Sequence, residues 1–137
     1  MHKVMALDVG TKRIGIALSD YLQVIAIPHS YISRQPESDA IESIYKIAKE
    51  NRVEKIVIGL PKNMDDTIGA QAQDCIDFSQ KILGFDIILE DERLTSEEAE
   101  SRLRERKIDF RKNKGLVDME SAGVILEQYL SRISMSK

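Results

Sequence analysis

The chain contains one cysteine, Cys75, no tryptophan and three prolines, and only 5% of its residues are aromatic. A lone thiol cannot close an intramolecular disulfide, which points to a reducing compartment. No apolar run approaches the roughly 18 residues of a membrane span. Met1-His2-Lys3 leads straight into a short apolar strand, without the length or cleavage site of a secretory signal. The expected location is therefore the cytoplasm, with no membrane partner. Internal repeats, low-complexity tracts and Pro/Gly/Ser-rich linkers are also missing, so residues 1–137 are expected to form a single domain. There is no Cys/His cluster either, which leaves a zinc site without its usual ligands.

What is present is ordinary for a soluble protein, 42% hydrophobic and 31% charged, with a net charge of −3. The charge is unevenly spread. Between Arg102 and Lys114 stand seven basic residues (Arg102, Arg104, Arg106, Lys107, Arg111, Lys112, Lys114) against Glu105 and Asp109, a local net of +5. Salt screens charges beyond roughly 8–10 Å, so such a segment can meet phosphates on an otherwise acidic protein. A solvated helix end has the same composition.

Residue periodicity gives the element order βββαβαβαα. Lys3–Asp8 reads as a buried strand, Gly10-Thr11-Lys12-Arg13 as a turn and Ile14–Ser19 as the returning strand, with a third strand within Val24–Ser33. The period then changes. Ile41, Ile44, Tyr45, Ile47 and Ala48 fall at helical spacing, with Asn51 as a stop. Lys55–Leu60 is a fourth strand ended by Pro61, and a loop through Asp66 precedes a helix from about Gly69 to Leu83, closed by Gly84. Asp86–Glu90 is a fifth strand. Thr95 and Glu98 have capping-box spacing for a helix reaching about Arg106, and a last helix covers Leu116–Ile133. A meander followed by βαβαβ is the layout of the RNase H-like fold. It predicts an α/β protein with a five-stranded mixed sheet in order 3-2-1-4-5 and helices on both faces.

In that layout three acids matter. Asp8 ends an apolar strand, where a buried carboxylate is costly unless paired or bound to metal. Glu92 follows the fifth strand, with Glu90 and Asp91 competing for the same role. Asp118 opens the last helix one turn before Ala122, in line with Ile125 and Tyr129, and so can lean toward the sheet. Each has a structural explanation alone: a turn Asp, a solvated loop acid, a helix-dipole partner. Together they converge on the edge where parallel strands end and ligands bind. Carboxylates crowded there repel unless a cation lies between them, and hard oxygen donors favour Mg²⁺ or Mn²⁺.

Four segments carry a family resemblance. They are Leu7-Asp8-Val9-Gly10-Thr11-Lys12-Arg13-Ile14-Gly15, Ile58-Gly59-Leu60-Pro61-Lys62-Asn63-Met64-Asp65, Asp91-Glu92-Arg93-Leu94-Thr95-Ser96, and Lys114 followed by Asp118, Ser121, Ala122, Ile125 and Leu126. In order and spacing they resemble the motifs of the YqgF family, also called RuvX, across about residues 3–130. The resemblance implies an RNase H-like fold related to RuvC resolvases and a bacterial nuclease. It associates the chain with processing the 5′ end of the 16S ribosomal RNA precursor, or with Holliday junction cleavage. It also implies Asp8, Glu92 and Asp118 as metal-binding catalytic acids. Ser121 departs from the alanine many members carry.

Around those acids, Lys12, Arg13, Lys62, Asn63, Arg93 and Lys114 are candidate phosphate contacts, and Arg104, Arg106 and Lys107 supply the basic segment. The expected partner is nucleic acid, precursor rRNA or branched DNA, bound by a monomer or a homodimer. Two other classes stay open on the residues. Asp8-Val9-Gly10-Thr11 followed by Gly15 resembles the phosphate loop of actin-like phosphotransferases, though those close two such domains around a nucleotide. A non-catalytic RNA or ribosome-assembly module would use the basic segment, but gains nothing from acids at its mouth.

Overall fold

The computed structural model describes residues 1–92 and 95–135, at 95 and 96 the backbone alone. The elements are β1 (Lys3–Val9), β2 (Arg13–Ser19), β3 (Ala26–Ser33), α1 (Glu37–Glu50), β4 (Val53–Leu60), α2 (Ala70–Ser79), β5 (Asp86–Asp91), α3 (Thr95–Glu105) and α4 (Gly115–Met135). The strand order is β3-β2-β1-β4-β5, antiparallel from β3 to β1 and parallel from β1 to β5. This is the expected mixed sheet.

Alternation along the strands divides the core in two. Met5, Leu7 and Val9 of β1 and Ile56 and Ile58 of β4 face α1 and α2, packing on Ala40, Ile44, Ala48, Ala72 and Phe78. Val4, Ala6, Ala17 and Val57 face α4, packing on Ala122, Ile125, Leu126 and Tyr129. With helices on both sides, β1 reads as a nearly continuous apolar run, whereas the edge strand β3 alternates half-buried and exposed residues. The lone Cys75 is buried on the α1/α2 side, where its thiol donates to the Val9 carbonyl at 3.6 Å.

Several boundaries differ from the periodicity, two of them for a visible physical reason. α2 stops at Ser79 rather than near Leu83, because the chain tightens there: Lys81 N–H donates to Phe78 and Ile82 N–H to Ser79, both i→i−3 bonds. That tightening buries Ile82 and brings the chain to Gly84, whose φ of +88° suits glycine. β4 begins at Val53, two residues early, since the Arg52 carbonyl already accepts from Lys3 N–H and starts the pairing with β1.

Ser121 is buried in α4, and its hydroxyl has no hydrogen-bond partner among the described residues. A buried hydroxyl in that state costs about 1–3 kcal/mol. Ser121→Ala is therefore expected to raise the melting temperature by a few degrees with cleavage unchanged. A lower melting point would mean that the hydroxyl has a partner.

Candidate active site

β1 is central, so its C-terminal end lies between the ends of β2 and β4. Asp8, like Val4 and Ala6, points to the α4 face. Directly across from it on β2 is Gly15. On β4 the paired run ends at Leu7↔Ile58, and the next β4 residue is Gly59. Both flanking positions lack side chains because other groups occupy that space. A Cβ on Gly15 would overlap the Asp118 carbonyl oxygen and lie 2.8 Å from the Met119 nitrogen. A Cβ on Gly59 would overlap Glu92 Oε2 and come within 2.6 Å of Ile125 Cδ1. The two glycines thus let the first turn of α4 and the Glu92 carboxylate settle onto the sheet beside Asp8.

The electrostatics follow from this crowding. Burial, with repulsion from Glu92 and Asp118, raises the Asp8 carboxyl well above the ordinary aspartate range. Glu92 is pushed up to about 7 by burial and by neighbouring Asp91. Its Oε2 is buried and has no hydrogen-bond partner among the described residues. Asp118 is held differently: Arg13 Nε donates to its Oδ2 at 2.7 Å. Arg13, expected at phosphate, is therefore engaged first with an acid of the site.

The competing acids of β5 are disposed elsewhere. Glu90 is buried on the α4 side and accepts from Arg132 Nη2 at 2.6 Å. Asp91 is exposed, alternates to the opposite face and lies 4.0 Å from Lys62 Nζ. Among the three neighbours, Glu92 is the one that acts on Asp8.

The other candidates scatter around this centre. Lys12 is exposed in the β1–β2 turn, and Lys62 is half-buried after β4. Asn63 donates to Thr67 Oγ1 at 2.9 Å, which turns it into its own loop. Lys114 borders a groove of about 420 Å³ that also includes Arg13, Phe110, Arg111 and Asp118. Arg93, and the Thr95 side chain expected to cap α3, lie outside the described residues.

The basic segment is less cationic than its sequence. Arg102 pairs with Glu98 and Glu127, Arg104 with Glu100, Arg106 with the buried Glu120, and Arg111 with Asp109. Among the described residues, Lys107, Lys112 and Lys114 have no ion-pair partner. Residue periodicity also missed Arg34. Nearly buried, it donates to both Asp74 oxygens at 2.6 and 2.8 Å and to the Gly10 carbonyl at 3.0 Å, fixing the loop after Asp8. No local signal links Arg34 and Asp74; they meet because α2 packs beneath the sheet.

The same layout recurs in solved resolvases. The Fowlpox virus resolvase in complex with substrate Holliday junction DNA matches with a TM-score of 0.59 at 9% identity, covering 96% of this chain and 98% of that one. RuvC of T. thermophilus in complex with Holliday junction substrate matches with a TM-score of 0.57 at 11% identity, covering 97% and 96%. The fold is RNase H-like, of the RuvC kind. In sequence, the family model described as "RuvX: Holliday junction resolvase" matches residues 2–132, and the chain belongs to that family. Relatives bearing the name "Putative pre-16S rRNA nuclease" include those of Halothermothrix orenii, 39% identical with 94% of each chain covered, and Crocosphaera subtropica, 43% identical with 93% and 92% covered.

Proposed function

We propose that the protein is a divalent-metal-dependent nuclease that hydrolyses phosphodiesters in precursor ribosomal RNA, with Asp8, Glu92 and Asp118 as its metal-binding acids. The observation that carries this reading is the buried Glu92 Oε2, without a hydrogen-bond partner among the described residues, beside a destabilised Asp8. A protein does not ordinarily leave a carboxylate oxygen buried without a donor, and a cation supplies what is missing. No group of three His, Cys, Asp or Glu side chains among the described residues is arranged to hold a metal ion as it stands. Mg²⁺ keeps several waters and is held by as few as one or two carboxylates, so it does not require all three acids at once. When bound, the ion would activate a water and stabilise the departing oxygen.

The protein's own groups do the rest. Arg13 orients Asp118, and the Arg34–Gly10 bond steadies the turn that follows Asp8. Lys12, Lys62 and Lys114, around the site, would attract the phosphate backbone. Although the family model carries the Holliday junction resolvase description, RNA is favoured over junction DNA as substrate because relatives 38–43% identical bear the rRNA-nuclease name, whereas the junction-bound neighbours share 9–11% and are alike in fold alone. Cleavage of a labelled 16S precursor and of a four-way DNA junction, in parallel with Mg²⁺, Mn²⁺ and chelator, tests this. RNA cleavage lost in chelator is expected. Cutting that persists in chelator, or binding without cutting in any ion, would overturn the reading.

Affinity should rest on the lysines of the basic segment that have no ion-pair partner among the described residues. Replacing Lys107, Lys112 and Lys114 with Gln is expected to lower the log–log salt slope of RNA binding by roughly 0.7–0.9 per lost contact. Arg106→Gln should instead lower stability, because it strands the buried Glu120. Equal salt slopes for the triple variant and the parent would remove the lysines from the interface.

A further inference from the structure

The groove that ends at Asp118 is bordered by Phe110, and a second concavity, bordered by Arg104 and Lys107, lies against the same ring. The Arg104 guanidinium sits over the ring, 5.6 Å from its centroid, and is itself held by Glu100 at 3.3 Å. Phe110 is half-buried in a chain with only three phenylalanines and no tryptophan, and its two concavities are lined by Arg104, Lys107, Arg111 and Lys114 as well as by Glu100 and Asp109. A solvated helix end has no need of an aromatic ring so placed. Each nucleic-acid base carries a flat face that stacks on such a ring, whereas a duplex hides its base faces inside the stack.

We propose that Phe110 is a base-stacking platform, so that the strand entering the site from this side is single-stranded. The inference rests on the nuclease reading and deepens it: it assigns the site an unpaired RNA segment as substrate, rather than the arm of a junction. Lys114, on the same groove as Asp118, would hold the backbone between the stacked base and the acids. Arg104 would brace the ring from its other side. The groove volume of about 420 Å³ lies within the range of small-ligand sites, roughly 300–1,000 Å³, and accommodates one nucleotide.

The test compares Phe110→Leu, Phe110→Ala and Phe110→Tyr with the parent, each first checked by thermal melt. Binding is measured by anisotropy on a labelled single RNA strand and on the same strand annealed to its complement, with Ca²⁺ replacing Mg²⁺ and the strand checked for integrity afterwards. Leu fills the position without a flat face. It and Ala are expected to weaken single-strand binding roughly tenfold, the scale of one lost stack, with duplex binding unchanged and Tyr close to the parent. Single-strand affinity retained by the Leu variant, or equal losses on strand and duplex, would overturn the inference. Cleavage by the parent in Mg²⁺ is measured beside it. If the parent cuts while Phe110→Leu binds normally, the platform fails and the nuclease reading stands. If the parent cuts nothing while the ring still governs single-strand binding, the platform stands and the nuclease reading fails.

Discussion

Asp8→Asn is expected to leave the protein folded and to lower metal-dependent cleavage at least ~10²-fold, the scale of losing one preorganised electrostatic group. Asn keeps the shape at the end of β1 but withdraws a charge from the crowd of Asp8, Glu92 and Asp118. With no ion bound, that crowd is a cost, since the Asp8 carboxyl is held above its ordinary range by burial and by both neighbours. The variant should therefore melt at or above the parent temperature in chelator, while Mg²⁺ raises its melting point less than the parent's.

The pH dependence has a definite sign. Glu92 sits at about 7 when folded against 4.5 ordinarily, so the folded state binds the extra proton between those values. Stability from this group is fully present below about pH 4.5 and lost as pH rises toward 7, so the metal-free parent should melt higher at about pH 5 than at about pH 8. Mg²⁺ should reverse part of that loss at the higher pH. Wild-type-like cutting by a folded Asp8→Asn protein would end the metal-nuclease reading. A lower melting point in chelator would show that the Asp8 charge has a stabilising partner.

The sheet was legible because each strand announces itself by alternation or by a buried run, and the change to helical period after β3 dictates where parallel pairing begins. Asp8 was legible for the same reason: a carboxylate closing an apolar strand has few inexpensive fates. The resemblance named Glu92, but the residues alone left Glu90 and Asp91 in contention, and only three dimensions show how Glu90 is engaged. Alternation sends Glu90 to the α4 side as well, and what removes it is Arg132, which is 42 residues away. The basic segment shows the opposite failure. Charge counted along the chain sums to a cationic patch, yet the partners that neutralise it include Glu120 and Glu127 of α4, which reach it only through packing. Arg34 and Asp74 were invisible because a buried ion pair between distant residues leaves no periodic trace. Gly15 and Gly59 could be read as motif letters but not as spaces, since what fills each space comes from α4 and from beyond β5.

Those two spaces lead to the second large effect, a pair of substitutions of the same chemistry with different outcomes. In Gly15→Ala the new methyl meets backbone, the Asp118 carbonyl and the Met119 nitrogen, which cannot rotate away. The start of α4 must lift, at a cost of about 1–3 kcal/mol or more, and the Arg13–Asp118 pair is disturbed with it. Stability and cleavage should fall together. In Gly59→Ala the methyl meets Glu92 Oε2 and the tip of Ile125, both ends of flexible side chains. The carboxylate can swing out, and the swing also releases from burial an oxygen that has no hydrogen-bond partner among the described residues. The melting temperature in chelator should therefore stay near the parent's, while the acid leaves its place beside Asp8. Displacement of about 1 Å in such a site costs on the order of 10²-fold in rate. The Mg²⁺ concentration for half-maximal cleavage should rise, because one ligand is turned away. Melts in chelator and Mg²⁺ titrations of cleavage, run on both variants, separate the two effects. If Gly59→Ala cuts like the parent at limiting Mg²⁺, Glu92 is not a ligand. If it instead loses stability as Gly15→Ala does, its carboxylate is fixed by packing rather than poised for an ion.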